Sequence, residues 1–238
     1  MQFWDGYHDI YNKFLITSPS YNELVSGVTF LIKKYIKIGD TILDSGCGSG
    51  MLADKLAQEG YELTAVDNST KALLLLRRRN PSITIHKADL LKGLSFPDKY
   101  FQGIVSINTL YTFTEDEIFK ILKEYSRVLK DNGVVVLSDP CEGFSNMKIF
   151  FNDIKEILRT RKLINILVHI LRNTINYLPL LFFNKIIDFR AYKKVYSYFD
   201  EEQYVIQLEK AGFSILKSDK IYAKQNNMLV VKHKTQHD

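Results

Sequence analysis

The stretch that decides the fold runs Thr41-Ile42-Leu43-Asp44-Ser45-Gly46-Cys47-Gly48-Ser49-Gly50 and joins a short apolar segment to a turn rich in glycine. Residues 41–44 predict a buried strand, and residues from about 50 to 58 have the apolar spacing of a helix. Glycines between a strand and a helix allow a sharp turn and let the backbone approach a ligand closely. The helix that follows offers free amide donors. The stretch therefore predicts a strand, a tight turn and a helix around a ligand site.

Strand and helix patterns alternate on both sides of this turn. Further strands are predicted at residues 63–66, 82–86, 103–107, 134–137, 213–216 and 228–231. Helices are predicted at residues 21–36, 70–79, 115–129 and 200–211, and residues 142–198 are mostly helical in pattern. Such alternation implies a parallel sheet with right-handed crossovers and helices on both faces. We predict an α/β fold: a Rossmann-like, doubly wound, mostly parallel seven-stranded sheet with a helical insertion after the fifth strand.

Composition places the chain among ordinary globular proteins. It has 238 residues, of which 46% are hydrophobic and 25% charged. The two cysteines, Cys47 and Cys141, are too few for a disulfide framework and fit a reducing compartment. Residues 1–9 lack the features of a secretory signal, and polar residues interrupt the most apolar stretch, residues 163–189. We therefore expect a soluble, cytoplasmic protein.

The glycine spacing separates two kinds of nucleotide site. A dinucleotide fingerprint would need a third glycine at position 51, where Met51 stands, so a nicotinamide-dependent dehydrogenase is disfavoured. The observed pattern, an acid followed by three glycines at alternate positions, resembles motif I of the class I S-adenosylmethionine (SAM)-dependent methyltransferases. In style the chain is closest to small-molecule members such as the quinone-biosynthesis type. The acid, Asp44, suits a ligand that carries an ammonium and a sulfonium charge.

The resemblance continues along residues 38–140 and, more loosely, 200–232. It implies that Asp67, at the end of the second strand, binds the ribose hydroxyls. It also implies that Asp89 lies near the adenine amino group and that Leu90 packs against the adenine ring. The full set of cofactor-binding residues that the resemblance implies is Asp44, Gly46, Gly48, Gly50, Asp67, Asn68, Asp89, Leu90, Asn108 and Tyr11.

Two departures from the family pattern affect a strand and a turn outside the proposed pocket. Gln102 stands where many members have Asp. Asp131 and Asn132 replace the Pro and the first Gly of the family's helix-turn motif. Taken singly, Asp67 also fits a helix cap, Asp89 a loop acid and Asn108 a turn former. Several strand ends that carry residue types suited to one ligand are nevertheless hard to attribute to chance.

Methyl transfer from SAM is an in-line displacement. It depends mainly on holding donor and acceptor aligned at near-attack distance, so a catalytic base is optional. The candidates for such a base are His8, Tyr11, Tyr111 and His169. A structural role is also compatible with His169, and we expect His86 to be a packed core residue. We expect the cofactor to be SAM, with S-adenosylhomocysteine (SAH) as the product, and we expect no metal.

The chain divides into three parts on this basis. Residues 1–37 form an N-terminal helical segment that covers the cofactor site, with packing alone as the alternative. Residues 38–141 and 199–234 form the SAM-binding core. Residues 142–198 form a helical lid that binds a small, apolar acceptor, with an extra packing layer or a homodimer contact as alternatives. Peripheral membrane contact is a weaker expectation for this segment, in which Lys and Arg outnumber the acids.

Two other functions are compatible with parts of the sequence. Asn108-Thr109-Leu110-Tyr111 keeps the Asn and Tyr of the adenine-methylating motif Asn-Pro-Pro-Tyr but lacks both prolines. The net charge of +5 is also modest, so we expect no nucleic-acid partner. A SAM-binding protein without catalysis is the second alternative, and the intact core motifs argue against it.

Overall fold

A computed structural model describes residue 15, residues 17–160, residues 185 and 189, and residues 197–234. Seven strands form one sheet in the order β3-β2-β1-β4-β5-β7-β6, and only β7 runs antiparallel to its neighbours. This confirms the predicted Rossmann-like sheet. The strands are β1 (Thr41–Ser45), β2 (Glu62–Asp67), β3 (Thr84–Lys87), β4 (Phe101–Ile107), β5 (Leu129–Pro140), β6 (Phe213–Ile221) and β7 (Asn226–His233).

Six helices of the described residues pack on the sheet. They are α1 (Pro19–Tyr35), α2 (Met51–Gln58), α3 (Thr70–Arg79), α4 (Glu115–Val128), α5 (Asn146–Thr160) and α6 (Glu201–Lys210). Two short 3-10 turns, Leu90–Lys92 and Leu110–Thr112, follow β3 and β4.

Alternate residues of β1 serve the two faces of the sheet. Ile42 packs in a cluster with α1 and α2, whereas Leu43 packs in a second cluster with α4 and α6. Both residues are fully buried. Successive side chains of a strand point to opposite faces, so one short strand anchors helical layers above and below it.

The strand order creates a crevice between β1 and β4. The chain moves outward from β1 to β3 and then returns to place β4 on the other side of β1. In open sheets of this kind, ligands bind outside the carboxyl ends of the strands, where the order reverses. The residues that directly follow β1 and β4 therefore line the expected site.

The strands at one side of the sheet extend beyond the predicted bounds. β5 begins at Leu129 rather than 134, and β7 continues to His233. Lys232 and His233 therefore belong to β7, beyond its predicted end at residue 231.

His86 is exposed, and its ring meets Phe96 edge-on at 5.3 Å. The expectation that it is a core residue is wrong because β3 lies at the edge of the sheet, where its side chains reach solvent.

Helix α5 shows how the start of the insertion packs. Its buried residues are Ile149, Asp153 and Ile157, spaced one turn apart, whereas Leu158 is 54% exposed. Leu158 therefore does not belong to the buried face of this helix. Asp153 accepts hydrogen bonds from the Ser18 hydroxyl at 2.6 Å and from the Ser20 amide at 2.8 Å. The buried acid therefore joins α5 to the start of α1.

None of the described helices is both long and apolar enough to cross a membrane. Most of the predicted lid, residues 161–196 apart from 185 and 189, lies outside the described residues, as does most of residues 1–16.

Candidate functional site

The turn after β1 is tied to the end of β2. The amides of Gly46 and Cys47 both donate to the carbonyl of Val66, at 2.9 and 3.0 Å. Gly46, Gly48 and Gly50 have φ angles of +74°, +52° and +73°. Side chains with a Cβ rarely adopt this left-handed conformation, so the backbone path explains why glycine recurs here.

Two of these glycines also face protein atoms. A Cβ at Gly46 would lie 2.3 Å from Thr109 Cγ2, and a Cβ at Gly50 would lie 2.4 Å from Leu76 Cδ1. Packing against the chain itself therefore requires both glycines. A direct role for them in cofactor binding stays a prediction.

Asp67 links the glycine turn to the turn after β2. Its Oδ2 accepts the Gly48 amide at 2.8 Å, and its Oδ1 accepts the Ser69 amide at 2.7 Å. Each carboxylate oxygen has a second lone pair. The half-buried carboxylate can therefore hold the loop and still accept hydrogen bonds from a ligand. Asn68, between the two turns, is exposed.

Asp44 is a buried acid at the end of β1, with 1% of its surface exposed. Burial and, to a smaller extent, the charge of Asp67 together raise the pKa of Asp44 to about 7, against the opposing effect of a hydrogen bond from the Ala53 amide. No cation of the described residues contributes to this balance. Two neighbouring carboxylates without a cationic partner favour a positively charged ligand.

Cys47 lies in the same turn. Burial, followed by the charges of Asp44 and Asp67, raises the pKa of the Cys47 thiol well above its ordinary value. The reactive thiolate is therefore disfavoured, and Cys47 is not a nucleophile candidate.

Asp89 and Leu90 follow β3 at the same edge. The Asp89 side chain accepts the Leu91 amide at 3.1 Å and so begins the 3-10 turn. The Ala88 amide donates to the carbonyl of Asp67 at 3.0 Å, which brings the two acidic segments together. Leu90 is buried. Asp89 thus has a capping role of its own, and its contact with adenine stays a prediction.

Asn108 and Thr109 follow β4 and lie against the glycine turn. The Thr109 hydroxyl donates to the carbonyl of Gly46 at 3.2 Å. Asn108 has a φ of +52°, and its Oδ1 accepts a hydrogen bond from Asn226 Nδ2 at 2.7 Å. The segments that follow β1 and β4 therefore meet the start of β7 here.

Asp139, near the end of β5, supports the segment that follows β4. Its Oδ1 accepts the amides of Thr109 and Tyr111, at 2.8 and 3.3 Å, and its Oδ2 accepts the Tyr204 hydroxyl at 2.8 Å. Burial raises the pKa of Asp139 to about 6, and these hydrogen bonds oppose the rise. Burial and the neighbouring Asp139 charge also raise the pKa of Tyr204. Asp139 thus fixes the backbone that carries Tyr111.

Three aromatic rings form a stack beside this segment. Tyr111 and Tyr198 are stacked, with ring centroids 5.5 Å apart and planes 12° apart. Tyr198 and Phe144 are stacked at 6.2 Å and 25°. Tyr111 follows β4 and Phe144 follows β5, so the stack stands at the carboxyl edge. We call these three residues the aromatic stack.

The structure thus brings the predicted acids Asp44, Asp67 and Asp89 to one edge, together with Asn108, the glycine turn and Tyr111. His8, Tyr11 and His169 lie outside the described residues. Asp139, Tyr198 and Asn226 are site residues that the sequence alone does not predict, although Asp139 follows a predicted strand. Within residues 17–160 and 197–234, no three His, Cys, Asp or Glu side chains are grouped as a metal site requires.

Comparison with known proteins agrees with this arrangement. Residues 42–133 match the sequence model of a family described as a methyltransferase domain. The match supports a methyltransferase domain of the class I SAM-dependent kind over these residues. The matched residues run from β1 to β5 and include the three acids and the glycine turn. They are therefore the methyltransferase core of this chain.

Two relatives within the methyltransferases have similar sequences. A ribosomal protein L11 methyltransferase from Thermosipho melanesiensis is 30% identical over 176 residues, covering 66% of this chain and 60% of that protein. An eEF1A lysine and N-terminal methyltransferase from Bos taurus is 31% identical over 111 residues, covering 44% of this chain and 16% of that protein. The chain thus spans less than two thirds of the length of either relative.

One solved methyltransferase with a similar fold has SAH bound. It is the magnesium protoporphyrin IX methyltransferase from Synechocystis PCC 6803, with a TM-score of 0.59 and 15% identity. The likeness covers 89% of this chain and 82% of that chain. At 15% identity, this similarity shows a shared fold and nothing about the acceptor.

Proposed function

We propose that the chain transfers a methyl group from SAM to a small, apolar or amphipathic acceptor. The observation that carries this proposal is the meeting of the buried acid Asp44, the glycine turn held by Asp67 and the aromatic stack at one carboxyl edge of the sheet. The acids suit the charged and hydroxylated parts of a cofactor, and the aromatic rings suit an apolar second reactant.

The residues of the site fit SAM. Asp44 would attract the ammonium of the amino-acid end, because no cation among the described residues neutralises it. Asp67 would accept hydrogen bonds from the ribose, and Asp89 with Leu90 would hold the adenine. When bound, SAM would supply its sulfonium methyl group to a lone pair of the acceptor, the methyl–sulfur bond breaking as the new bond forms, with SAH as the leaving group.

The chain would contribute to this chemistry mainly by positioning the two reactants and by excluding water from the site. Holding two reactants at near-attack distance removes much of the entropic barrier, and exclusion of water strengthens the electrostatic interactions in the site. Asp139 fixes the backbone at Tyr111 through two amide hydrogen bonds. Tyr111 is therefore the described residue best placed to orient the acceptor or accept its proton.

The aromatic stack supports an apolar acceptor. Flat aromatic surfaces contribute large apolar area and prefer stacked or edge-on partners. The predicted lid, residues 142–198, would complete the acceptor site, with membrane contact and a homodimer as further proposals for the same segment. Residues 1–37 would cover the cofactor, with Tyr11 among them.

A protein acceptor is the second candidate. The two relatives with similar sequences are named as methyltransferases of ribosomal protein L11 and of eEF1A. Their similarity to this chain favours testing proteins beside small molecules.

The test is to incubate the purified chain with SAM labelled in the methyl group and a cell extract separated into metabolite and protein fractions. An Asp67→Ala variant, assayed at a SAM concentration that does not saturate it, serves as the control and should transfer much less label. We expect label in extractable small molecules of the metabolite fraction. Label confined to proteins would overturn the small-molecule acceptor, and no transfer to either fraction would overturn the proposed enzyme.

A further inference from the structure

Asn226 is a fully buried polar residue beside the site. It is the first residue of β7, and it pairs with Pro140 at the end of β5. Because β7 is antiparallel to β5, its beginning lies at the carboxyl edge of the sheet. Asn226 Nδ2 lies 2.7 Å from Asn108 Oδ1 and 3.2 Å from Ser138 Oγ.

This contact decides which end of the Asn108 amide is available to a ligand. An Asn side chain has one carbonyl oxygen and one amino group with two N–H donors. The Asn108 oxygen already accepts from Asn226, and its backbone amide donates to the carbonyl of Ser138 at 2.7 Å. The half-exposed Asn108 therefore offers its amino group, a donor, to the site.

The position of Asn108 indicates which part of the cofactor would meet it. β4 pairs with β1, and Thr109 bonds to the carbonyl of Gly46 in the turn that follows Asp44. Asn108 and Asp44 thus flank the same turn. The amino-acid end of SAM carries one ammonium and one carboxylate. The Asp44 acid suits the ammonium, and an N–H donor suits the carboxylate.

We propose that Asn226 is a positioning residue that orients the Asn108 amide so that Asn108 donates a hydrogen bond to the carboxylate of the cofactor. This inference rests on the proposed function.

Two features of Asn226 support a role beyond packing. First, its Oδ1 is buried and has no hydrogen-bond partner in the part of the chain that the structure describes, which is unfavourable for stability. Second, the turn that precedes it contains three successive left-handed residues other than glycine, Tyr222, Ala223 and Lys224, with φ of +57°, +54° and +59°. Such strain persists where the surroundings enforce it, and it is frequent at binding sites.

The experiment compares two probes, SAH and its analogue without the carboxylate, by calorimetric titration of the full chain. In Asn226→Asp, the new carboxylate has no donor for Asn108 Oδ1 and attracts its amino group instead. The Asn108 amide should turn and present its oxygen to the carboxylate of the ligand. We expect SAH affinity to fall by about tenfold or more, since a charge-assisted hydrogen bond is lost. Affinity for the analogue should change by less than about twofold.

Asn227→Asp is the matched control. Asn227 is 1% exposed and bonds to the carbonyl of Phe199 at 3.0 Å, on the side away from Asn108. It should bind both probes as the wild type does. If Asn226→Asp fails to fold, Asn108→Asp replaces it, because the bond from Asn226 is kept while the donor becomes a carboxylate.

The affinities for the two probes distinguish the proposed role of Asn226 from general damage to the site. Wild-type SAH affinity in Asn226→Asp would overturn the inference, since Asn226 would then act as an acceptor. Equal weakening of both probes would also overturn it, because the damage would not concern the carboxylate. If the wild-type chain fails to bind SAH, the proposed function fails instead.

Discussion

Gly48 donates its backbone N–H to Asp67 Oδ2 at 2.8 Å, so the acid that ends β2 holds the middle of the glycine turn after β1. The other oxygen of the same carboxylate accepts the Ser69 amide at 2.7 Å. The residue expected to bind ribose thus also shapes the loop that surrounds the cofactor. Removing the Asp67 carboxylate affects both ribose binding and the glycine turn. Comparison of Asp67→Ala with Asp67→Asn distinguishes the two roles.

Asp67→Ala should lower SAH affinity by at least about tenfold, because charge-assisted hydrogen bonds to the ribose would be lost, each worth about 1.5–3 kcal/mol. Asp67→Asn keeps one of the two acceptor oxygens that hold the loop, so it should be destabilised less than Asp67→Ala while still binding SAH weakly. Calorimetry and chemical denaturation give the two readouts. Equal SAH affinity in Asp67→Ala and wild type would remove Asp67 from the site.

Gly48 and Gly39 form a matched pair for the glycine turn. Both have positive φ, +52° and +88°, and a Cβ at Gly39 would meet no atom within 4 Å. An alanine at either position should cost about 1–2 kcal/mol of stability through backbone strain. Only Gly48→Ala should also lose SAH affinity, because its Cβ would occupy the cofactor side of the turn. Unchanged binding by Gly48→Ala would show that the cofactor does not approach there.

Binding of SAM should depend on pH through Asp44. Since the pKa of Asp44 is raised to about 7, the carboxyl group is largely protonated below that pH and ionised above it. The positively charged cofactor favours the ionised form, so affinity should rise between about pH 6 and about pH 8 and binding should release protons near neutrality. Calorimetry in two buffers of different ionisation enthalpy measures that release. Asp44→Asn should abolish it, and the same release in the variant would refute the assignment.

The effect of Asp44 on folding stability has the opposite pH dependence. The pKa of folded Asp44 lies above its ordinary value of 3.8, so the protonated carboxyl favours the folded state in this range. The Asp44 contribution to the free energy of unfolding should therefore decrease as pH rises from about 4 towards about 7. Denaturation curves of wild type and Asp44→Asn over this range check the direction.

Asp153 should matter for stability more than an average surface acid. Its carboxylate accepts from the Ser20 amide and from the hydroxyls of Ser18 and Ser20 at the start of α1. Asp153→Ala would leave these buried donors without an acceptor and should lower the free energy of unfolding by about 3 kcal/mol. Asp153→Asn keeps one acceptor oxygen and should lose about half as much. A loss below about 0.5 kcal/mol in the alanine variant would show that the contact does not hold α1 to α5.

The sequence predicts the site residues that lie next to a recognisable strand. Asp44, Asp67 and Asp89 directly follow strands whose apolar pattern is clear, and parallel strands place such residues at one edge. The sheet itself followed from the alternation of strand and helix patterns.

Contacts between distant parts of the chain escaped prediction. Asn226 and Asn108 are 118 residues apart, and Tyr204 and Asp139 are 65 apart. No local pattern reports such pairs. His86 was misplaced because whether a strand lies at the edge depends on strand order. Asp153 resembles an outward-facing polar residue of an amphipathic helix, and only its distant serine partners explain its burial.

The most direct test of the account is a calorimetric titration of the purified wild-type chain with SAH. We expect saturable binding of one SAH per chain that weakens at least about tenfold in Asp67→Ala and stays unchanged in Gly39→Ala. Absence of saturable binding by a folded wild-type chain, or equal affinity in all three proteins, would contradict it.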